Sequence, residues 1–417
     1  MPATRFRFRR TADFTALRLG RVVLGYLALV TSIITMAPFR FQWTPAHGLT
    51  DLWTWSDLVM NVLLFVPFGF VYRFTRPRGA PPDWPRVIIL GAALSGTIEA
   101  LQLFSPTRYT SLQDVATNTA GAAVGAWAFA RLASRLEDDS SVPSLALELP
   151  LMGLVYQLIP LCWLIGLGSD GGARRFFVLP VAAIAGAILG TVHAAYLAPE
   201  RQGRSRWLVA LCLGWVIVAV VPGAGGDLGL LFASATLTIG IALFRRMATA
   251  RDRAASAHRR FELPTLRLVM PLFAAYLALS SLWPLDAARP EWHWIVALAP
   301  AQLELTQPLM YRLLEQVAAF TLAGYMIAEF HGRDARGLRA TATRVALWAG
   351  GISLLLEVAR GWYPDAGASV LLWLFTVVAA LFGGWMYLLQ RDHVRALVHR
   401  RRLLASLAAE PELARAA

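Results

Sequence analysis

Lysine is absent from this sequence, and each of its 39 basic residues is an arginine. That reads as codon usage in a GC-rich genome rather than as chemistry. Charge of either sign is scarce: 16% of residues are Asp, Glu, Lys or Arg, against nearer a quarter in a soluble globular chain. Cysteine is nearly absent too. Cys162 and Cys212 both sit inside apolar runs, which excludes a disulfide framework and a cysteine-based metal site and leaves the redox compartment open. His47, His293 and His331 have no second ligand at metal spacing, so no metal and no cofactor is expected.

What is present is hydrocarbon. The chain is 57% hydrophobic, its mean hydropathy is +0.52, and its 15 tryptophans fit the interfacial belts of a membrane protein. The N-terminal "RFRFRR" followed by Leu17 to Met36 resembles a signal peptide. The apolar run is too long for that, and Pro38 follows the only small-residue cleavage point, so an uncleaved first spanning helix is expected. Twelve runs are long and apolar enough to span: 17–37, 58–74, 86–104, 114–133, 148–167, 176–197, 207–222, 227–244, 266–284, 311–329, 343–361 and 367–389.

A net charge of +13 invites a nucleic-acid reading, but its distribution argues against one. With connections alternating from an inside N-terminus, only Arg40, Arg108, Arg174, Arg175, Arg289, Arg312 and Arg360 fall outside. All other arginines fall inside, as the positive-inside rule requires, and both termini are then cytoplasmic. Arg174 and Arg175 read as interfacial anchors. The expected fold is an all-α polytopic membrane helix bundle of about twelve spans in the cytoplasmic membrane.

Segments 131–147 and 245–265 look like boundaries between three four-helix blocks. The division is 1–135, 136–250 and 251–395, with a basic tail at 396–417. The first and third blocks are related. "SGTIEALQLFSPTRYTSLQDVATNTAGAAVGAW" aligns with "SLLLEVARGWYPDAGASVLLWLFTVVAALFGGW", pairing Ser95 with Ser353, Glu99 with Glu357, Pro106 with Pro364, Ser111 with Ser369, Gly125 with Gly383 and Trp127 with Trp385. This pattern implies an internal duplication, parallel in the membrane because four helices preserve direction. The middle block shows no such match and, poor in polar residues, reads as scaffold.

Polar groups within a membrane are costly and need a partner or a task. In the first block they fall at helical spacings. Asp57 and Asn61 share a face of the second helix, Glu99 and Gln102 a face of the third, and Asp114 and Asn118 a face of the fourth, above Gly121 and Gly125. Arg108 lies in the turn between the third and fourth. Alternating topology brings all seven polar residues to the outer face. Each alone is accounted for by capping or interhelical hydrogen bonding; Ser111, three residues before Asp114, resembles a cap. The set together reads as a polar site. Gly121 and Gly125 read as close helix packing, and Pro67 with Gly69 as a kink or loosening of the second helix.

The order "DLVMNVLLFVPFG", "SGTIEALQ", "PTRYTSLQDVATNTAGAAVG" resembles the VanZ-like family of membrane proteins. Its pattern D-x3-N-x3-F-x-P-x-G, E-x2-Q, R-x5-D-x3-N-x2-G is filled by Asp57, Asn61, Phe65, Pro67, Gly69, Glu99, Gln102, Arg108, Asp114, Asn118 and Gly121. The resemblance covers residues 20–135 directly and 265–390 as a degenerate echo. It implies a bacterial envelope protein: the namesake is linked to resistance to teicoplanin, a glycopeptide with a lipid tail, and relatives are associated with envelope and exopolysaccharide functions. In the echo, Asp57 becomes Arg312, Asn61 Gln316, Gln102 Arg360, Arg108 Ala366, Asp114 Leu372 and Asn118 Thr376. Only a glutamate and packing residues persist, so no equivalent site is expected there.

Three functions stay open. A binding or protective module would engage an amphiphile or lipid-linked glycan, with Arg108 holding an anionic group. An enzyme acting on a lipid-linked headgroup would use Glu99 or Asp114 as general base. A transporter would suit twelve helices with a duplication, but it would place polar groups at mid-depth in both halves.

Overall fold

The computed structural model describes residues 2–46, 48, 54–76, 83–137, 149–169, 172–196, 205–255, 262–296, 306–332, 337–363 and 367–416. The segments expected to divide the blocks, 131–147 and 245–265, fall partly outside these residues, as do Pro364 and Ala366 of the echo and His47.

Among the described residues, twelve α-helices follow one another: α1 (Pro2–Met36), α2 (Trp55–Tyr72), α3 (Trp84–Gln102), α4 (Leu112–Glu137), α5 (Pro150–Leu167), α6 (Val178–Tyr196), α7 (Ser205–Val220), α8 (Leu228–Ala255), α9 (Glu262–Leu282), α10 (Gln307–His331), α11 (Leu338–Arg360) and α12 (Val370–Ala416). Each expected span has its helix. Eleven contain a stretch long and apolar enough to cross a membrane. The twelfth, α4, carries Gln113, Asp114, Thr117 and Asn118 in its first two turns, which lowers its hydropathy without stopping the helix. The protein is a polytopic all-α bundle.

Three helices outrun their apolar stretches. α1 begins at Pro2, α8 continues to Ala255, and α12 runs unbroken to Ala416, so the basic tail expected as a separate segment is the end of the last helix. The reason is local. "RRMATARDRAA" and "RDHVRALVHRRRLLASLAAE" are rich in Ala, Leu and Arg, hold neither Gly nor Pro, and keep helix propensity high after hydropathy ends.

Long-range contacts separate the two ends of the bundle as alternating helices demand. One end joins Arg108 to Ile34 and Ala37, Arg174 to Ser280, and Arg312 to Gly168. The other joins Thr15 to His393, Gln390 to Leu149, and Arg245 to Thr265. The first end is the one the arginine distribution assigns to the outside. It carries the exposed aromatics Phe39, Phe41, Trp43, Trp55, Phe104, Tyr109, Trp283, Trp292, Trp294 and Trp362, a belt suited to a headgroup region. A short parallel bridge, β1 (Trp294–Ile295) with β2 (Ala368–Ser369), closes this end over α11 and α12.

The centre is made by α5, α6 and α10. Every residue of α5 from Leu151 to Gly166 except Tyr156 is buried, as expected of a helix apolar all round. α10 packs on α5, α6 on α8, and α1 on α12, which fastens the first four helices to the last.

Within the first four helices the closest packing is α2 on α4. A Cβ on Gly125 would collide with the Val66 carbonyl and the Phe70 amide, and one on Gly69 with the Ala122 carbonyl. α10 and α12 meet in the same way: Gly383 abuts the Thr321 carbonyl and Tyr325 amide, and Gly324 the Ala380 carbonyl. Small residues let backbones approach where the surrounding hydrocarbon offers no driving force of its own. Gly125→Leu should therefore destabilise the purified protein by about 1–3 kcal/mol, read from unfolding in detergent. Gly96→Leu should leave stability unchanged, because a side chain there meets open space.

Candidate functional site

The seven polar residues lie at the aromatic-belted end, graded in depth. Asp57 is exposed; Asn61, Arg108 and Asp114 are half-buried; Glu99, Gln102 and Asn118 are buried. Asp57 begins α2. Its carboxylate accepts from the backbone N–H (3.1 Å) and hydroxyl (2.8 Å) of Thr54, and its own N–H donates to the Thr54 hydroxyl (3.2 Å). This is a reciprocal capping box. One turn on, the Asn61 amide donates to Asp114 Oδ1 at 2.8 Å, joining α2 to α4. Asp114 interacts electrostatically with both Asp57 and Glu99, so three carboxylates share one field.

Glu99 faces the start of α4, where its Oε2 accepts the Ser111 backbone N–H at 2.9 Å. Ser111 does cap α4, though through Gln113, whose N–H donates to its hydroxyl at 3.1 Å. One layer deeper, Asn118 Nδ2 donates to the Ser95 hydroxyl at 2.8 Å. Asn118 Oδ1 is buried with no hydrogen-bond partner, which for such a group is costly. No carboxylate of this cluster is in an ion pair among the described residues.

Two of the seven turn away from the carboxylates. Gln102 donates to the Thr35 carbonyl at 2.9 Å. Arg108, expected to be presented by its turn, instead points its guanidinium at the end of α1. It donates to the Ala37 carbonyl at 2.9 Å, to the Ile34 carbonyl at 3.4 Å and to the Tyr311 hydroxyl at 3.2 Å. A cation at a helix C-terminus satisfies orphan carbonyls and the negative end of the dipole. Tyr311, itself donating to the Ile34 carbonyl at 2.9 Å, ties this corner to α10. Nothing in the sequence flags Tyr311, which lies 203 residues from Arg108.

The last four helices hold a polar network where only remnants were expected. Glu357 Oε2 accepts the Ser369 N–H at 3.0 Å, as Glu99 accepts that of Ser111. Ser353 bonds Thr376 at 2.6 Å, as Ser95 bonds Asn118. Arg360 donates at 3.0 Å to both Glu357 and Gln316. The replacements Gln102 by Arg360 and Asn61 by Gln316 therefore close a network rather than erase one.

A second buried cluster escaped the sequence entirely. Arg174 is no interfacial anchor: it is buried, paired with Glu315 at 2.5 Å and donating to the Ser280 carbonyl at 3.3 Å. Tyr276 donates to the other Glu315 oxygen at 2.7 Å. The available signal was Glu315 itself, a carboxylate inside an apolar helix. Arg175 behaves closer to expectation, half-exposed and 3.1 Å from Asp227.

Fold and site together define a multi-pass α-helical membrane protein with a graded polar cluster at one end of its first four helices. Residues 17–133 match the VanZ/LLP1 family model, so the first four helices are similar to that family. The match ends with α4, and α5 to α12 lie beyond it. No curated protein and no solved structure matches the chain.

Breaking the buried pair by Arg174→Met alone should cost about 3–5 kcal/mol, because Glu315 is left buried without its counter-charge. Combining it with Glu315→Leu should recover much of that loss, and unfolding in detergent distinguishes the two outcomes.

Proposed function

We propose that the protein is an envelope-binding module of a bacterial cytoplasmic membrane, both termini cytoplasmic, which engages the headgroup of an amphiphile or lipid-linked glycopolymer at the outer leaflet. The observation that carries this reading is the depth gradient. Polar groups run from exposed Asp57, through Asn61 and Asp114, to buried Glu99 and Asn118, on the faces where α2, α3 and α4 meet. The belt of exposed aromatics beside it suits a ligand whose other half is apolar. The similarity of the first four helices to the VanZ/LLP1 family favours a protective or exopolysaccharide-associated role, of the kind implied by the link of the family's namesake to teicoplanin resistance.

Arg108 serves this site as a corner post, since its guanidinium is spent on α1 and Tyr311. We read α9 to α12 as a second, diverged copy of the unit, on the recurrence of its hydrogen bonds and glycine contacts. Catalysis by Glu99 is the competing reading, and the test separates them.

Wild type, Asp114→Ala and Glu99→Gln are purified into lipid nanodiscs, and the envelope lipids and glycolipids they retain are compared by mass spectrometry. The same variants are expressed in a susceptible bacterium and challenged with teicoplanin. A binding module should lose retention about tenfold in Asp114→Ala, the cost of a hydrogen bond to a charged group. In Glu99→Gln it should fall only in part. Unchanged retention and unchanged susceptibility in a folded Asp114→Ala protein would overturn the reading. Full retention with conversion of the lipid by wild type but not Glu99→Gln would make it an enzyme.

A further inference from the structure

The two four-helix units act as an internal comparison. Their frames coincide at two hydrogen bonds and at the glycine contacts. A glutamate near the end of α3 or α11 accepts the N–H of a serine twelve residues on. A serine one turn earlier bonds a side chain of α4 or α12. Glycines of α4 and α12 press on the same backbone atoms of α2 and α10, those of Val66 and Phe70 in one and Thr321 and Tyr325 in the other.

A difference that bears on charge lies between the glutamate and the amide of α2 or α10. In the last four helices a guanidinium fills it: Arg360 Nη1 lies 3.0 Å from Glu357 Oε1 and 3.0 Å from Gln316 Oε1. The charge of Glu357 is thereby neutralised from within. In the first four helices the residue at that position is Gln102, which faces Thr35 instead. Asn61, in the place of Gln316, bonds an extra carboxylate, Asp114, where the other unit has Leu372. The first unit thus has one more carboxylate here and no cation at the position of Arg360. One turn below Asp114 on the same face, the buried Asn118 Oδ1 has no partner, whereas its counterpart Thr376 is satisfied by Ser353 and the Trp373 carbonyl.

We propose that the first unit takes a protonated amine of its amphiphile between Glu99 and Asp114, in the position that the Arg360 side chain occupies in the second unit. The second unit carries its own occupant as a side chain; the first leaves that place to a ligand. An ammonium or guanidinium group supplies what two carboxylates and an amide oxygen require, namely positive charge with several N–H donors. This inference rests on the proposed site and names the chemistry it recognises. Two sources offer that chemistry at an outer leaflet, a phospholipid amine headgroup and an amino sugar of a lipid-linked glycan.

The test uses the full chain in detergent, with binding followed by thermal shift and by native mass spectrometry. The probes are phosphatidylethanolamine, phosphatidylglycerol as an amine-free control, phosphatidylcholine as a cation without N–H donors, and glucosamine beside N-acetylglucosamine. Wild type should bind the amine-bearing member of a pair about tenfold tighter than its amine-free partner. Preference for ethanolamine lipid alone identifies a phospholipid headgroup, and preference for glucosamine alone an amino sugar. Gln102→Arg, which installs the second unit's occupant, should abolish the preference while preserving stability. Glu99→Gln should reduce it, and decides the question should Gln102→Arg fail to fold. Equal binding of amine-bearing and amine-free probes, with both lost in Asp114→Ala, would overturn the amine inference and leave the site standing. Binding of every probe that ignores Asp114→Ala would overturn both.

Discussion

The backbone contact between α2 and α4 is the constraint on which the site depends. Hydrocarbon surroundings give two helices no hydrophobic reason to associate, so their approach rests on packing and on interhelical hydrogen bonds. Gly69 and Gly125 bring the two backbones into contact and fix both spacing and register. Only at that spacing does the short side chain of Asn61 reach Asp114 across the interface. α3 then lays Ser95 and Glu99 against the same helix, against Asn118 and the Ser111 amide. The polar layers follow from the glycine seam, and a seam of the same kind between α10 and α12 accompanies the polar network of the last four helices.

The helices were legible because hydropathy over about 20 residues is a strong signal, and a bilayer leaves the backbone few alternatives. Even α4, whose first turns are polar, was marked by the apolar run that follows. The helix ends were less legible, since hydropathy stops at the membrane while propensity does not, as α8 and α12 illustrate. At the site, spacing on single helices puts Asp57 with Asn61 on one helix face and Asp114 with Asn118 on another. It could not tell which neighbour each would choose. Gln102 shares a face with Glu99 yet turns to α1, and Arg108 lies in a turn yet points inward. Those choices are set by α1 and α10, elements distant in sequence. Arg174 with Glu315 was illegible for the same reason, with 141 residues between its partners.

Pairing choices also set the charge each polar end presents. A buried ion pair between α11 residues three apart, Glu357 and Arg360, is a poor source of net stability, because desolvation consumes most of the attraction. Its effect is closure: with Gln316 and Ser369 it leaves the glutamate no free charge to offer. The β1–β2 bridge then lies over the same end, with Ser369 belonging to both. The same end is tied to the rest of the bundle through α10, whose Glu315 meets Arg174 at the α5–α6 turn and whose Tyr311 meets Arg108 and the end of α1.

That linkage gives three arginines of this end, Arg108, Arg174 and Arg360, distinct duties that their shared charge conceals. Arg360 neutralises a carboxylate within its own helix, and Arg174 neutralises one across two helices. Arg108 neutralises none, being bonded to two carbonyls and a hydroxyl. The one unit whose arginine is spent on backbone is also the one whose three carboxylates lack an internal counter-charge among the described residues. Its polar end therefore differs from the sealed one in charge balance far more than in shape, and charge balance is the property by which a headgroup would tell the two apart.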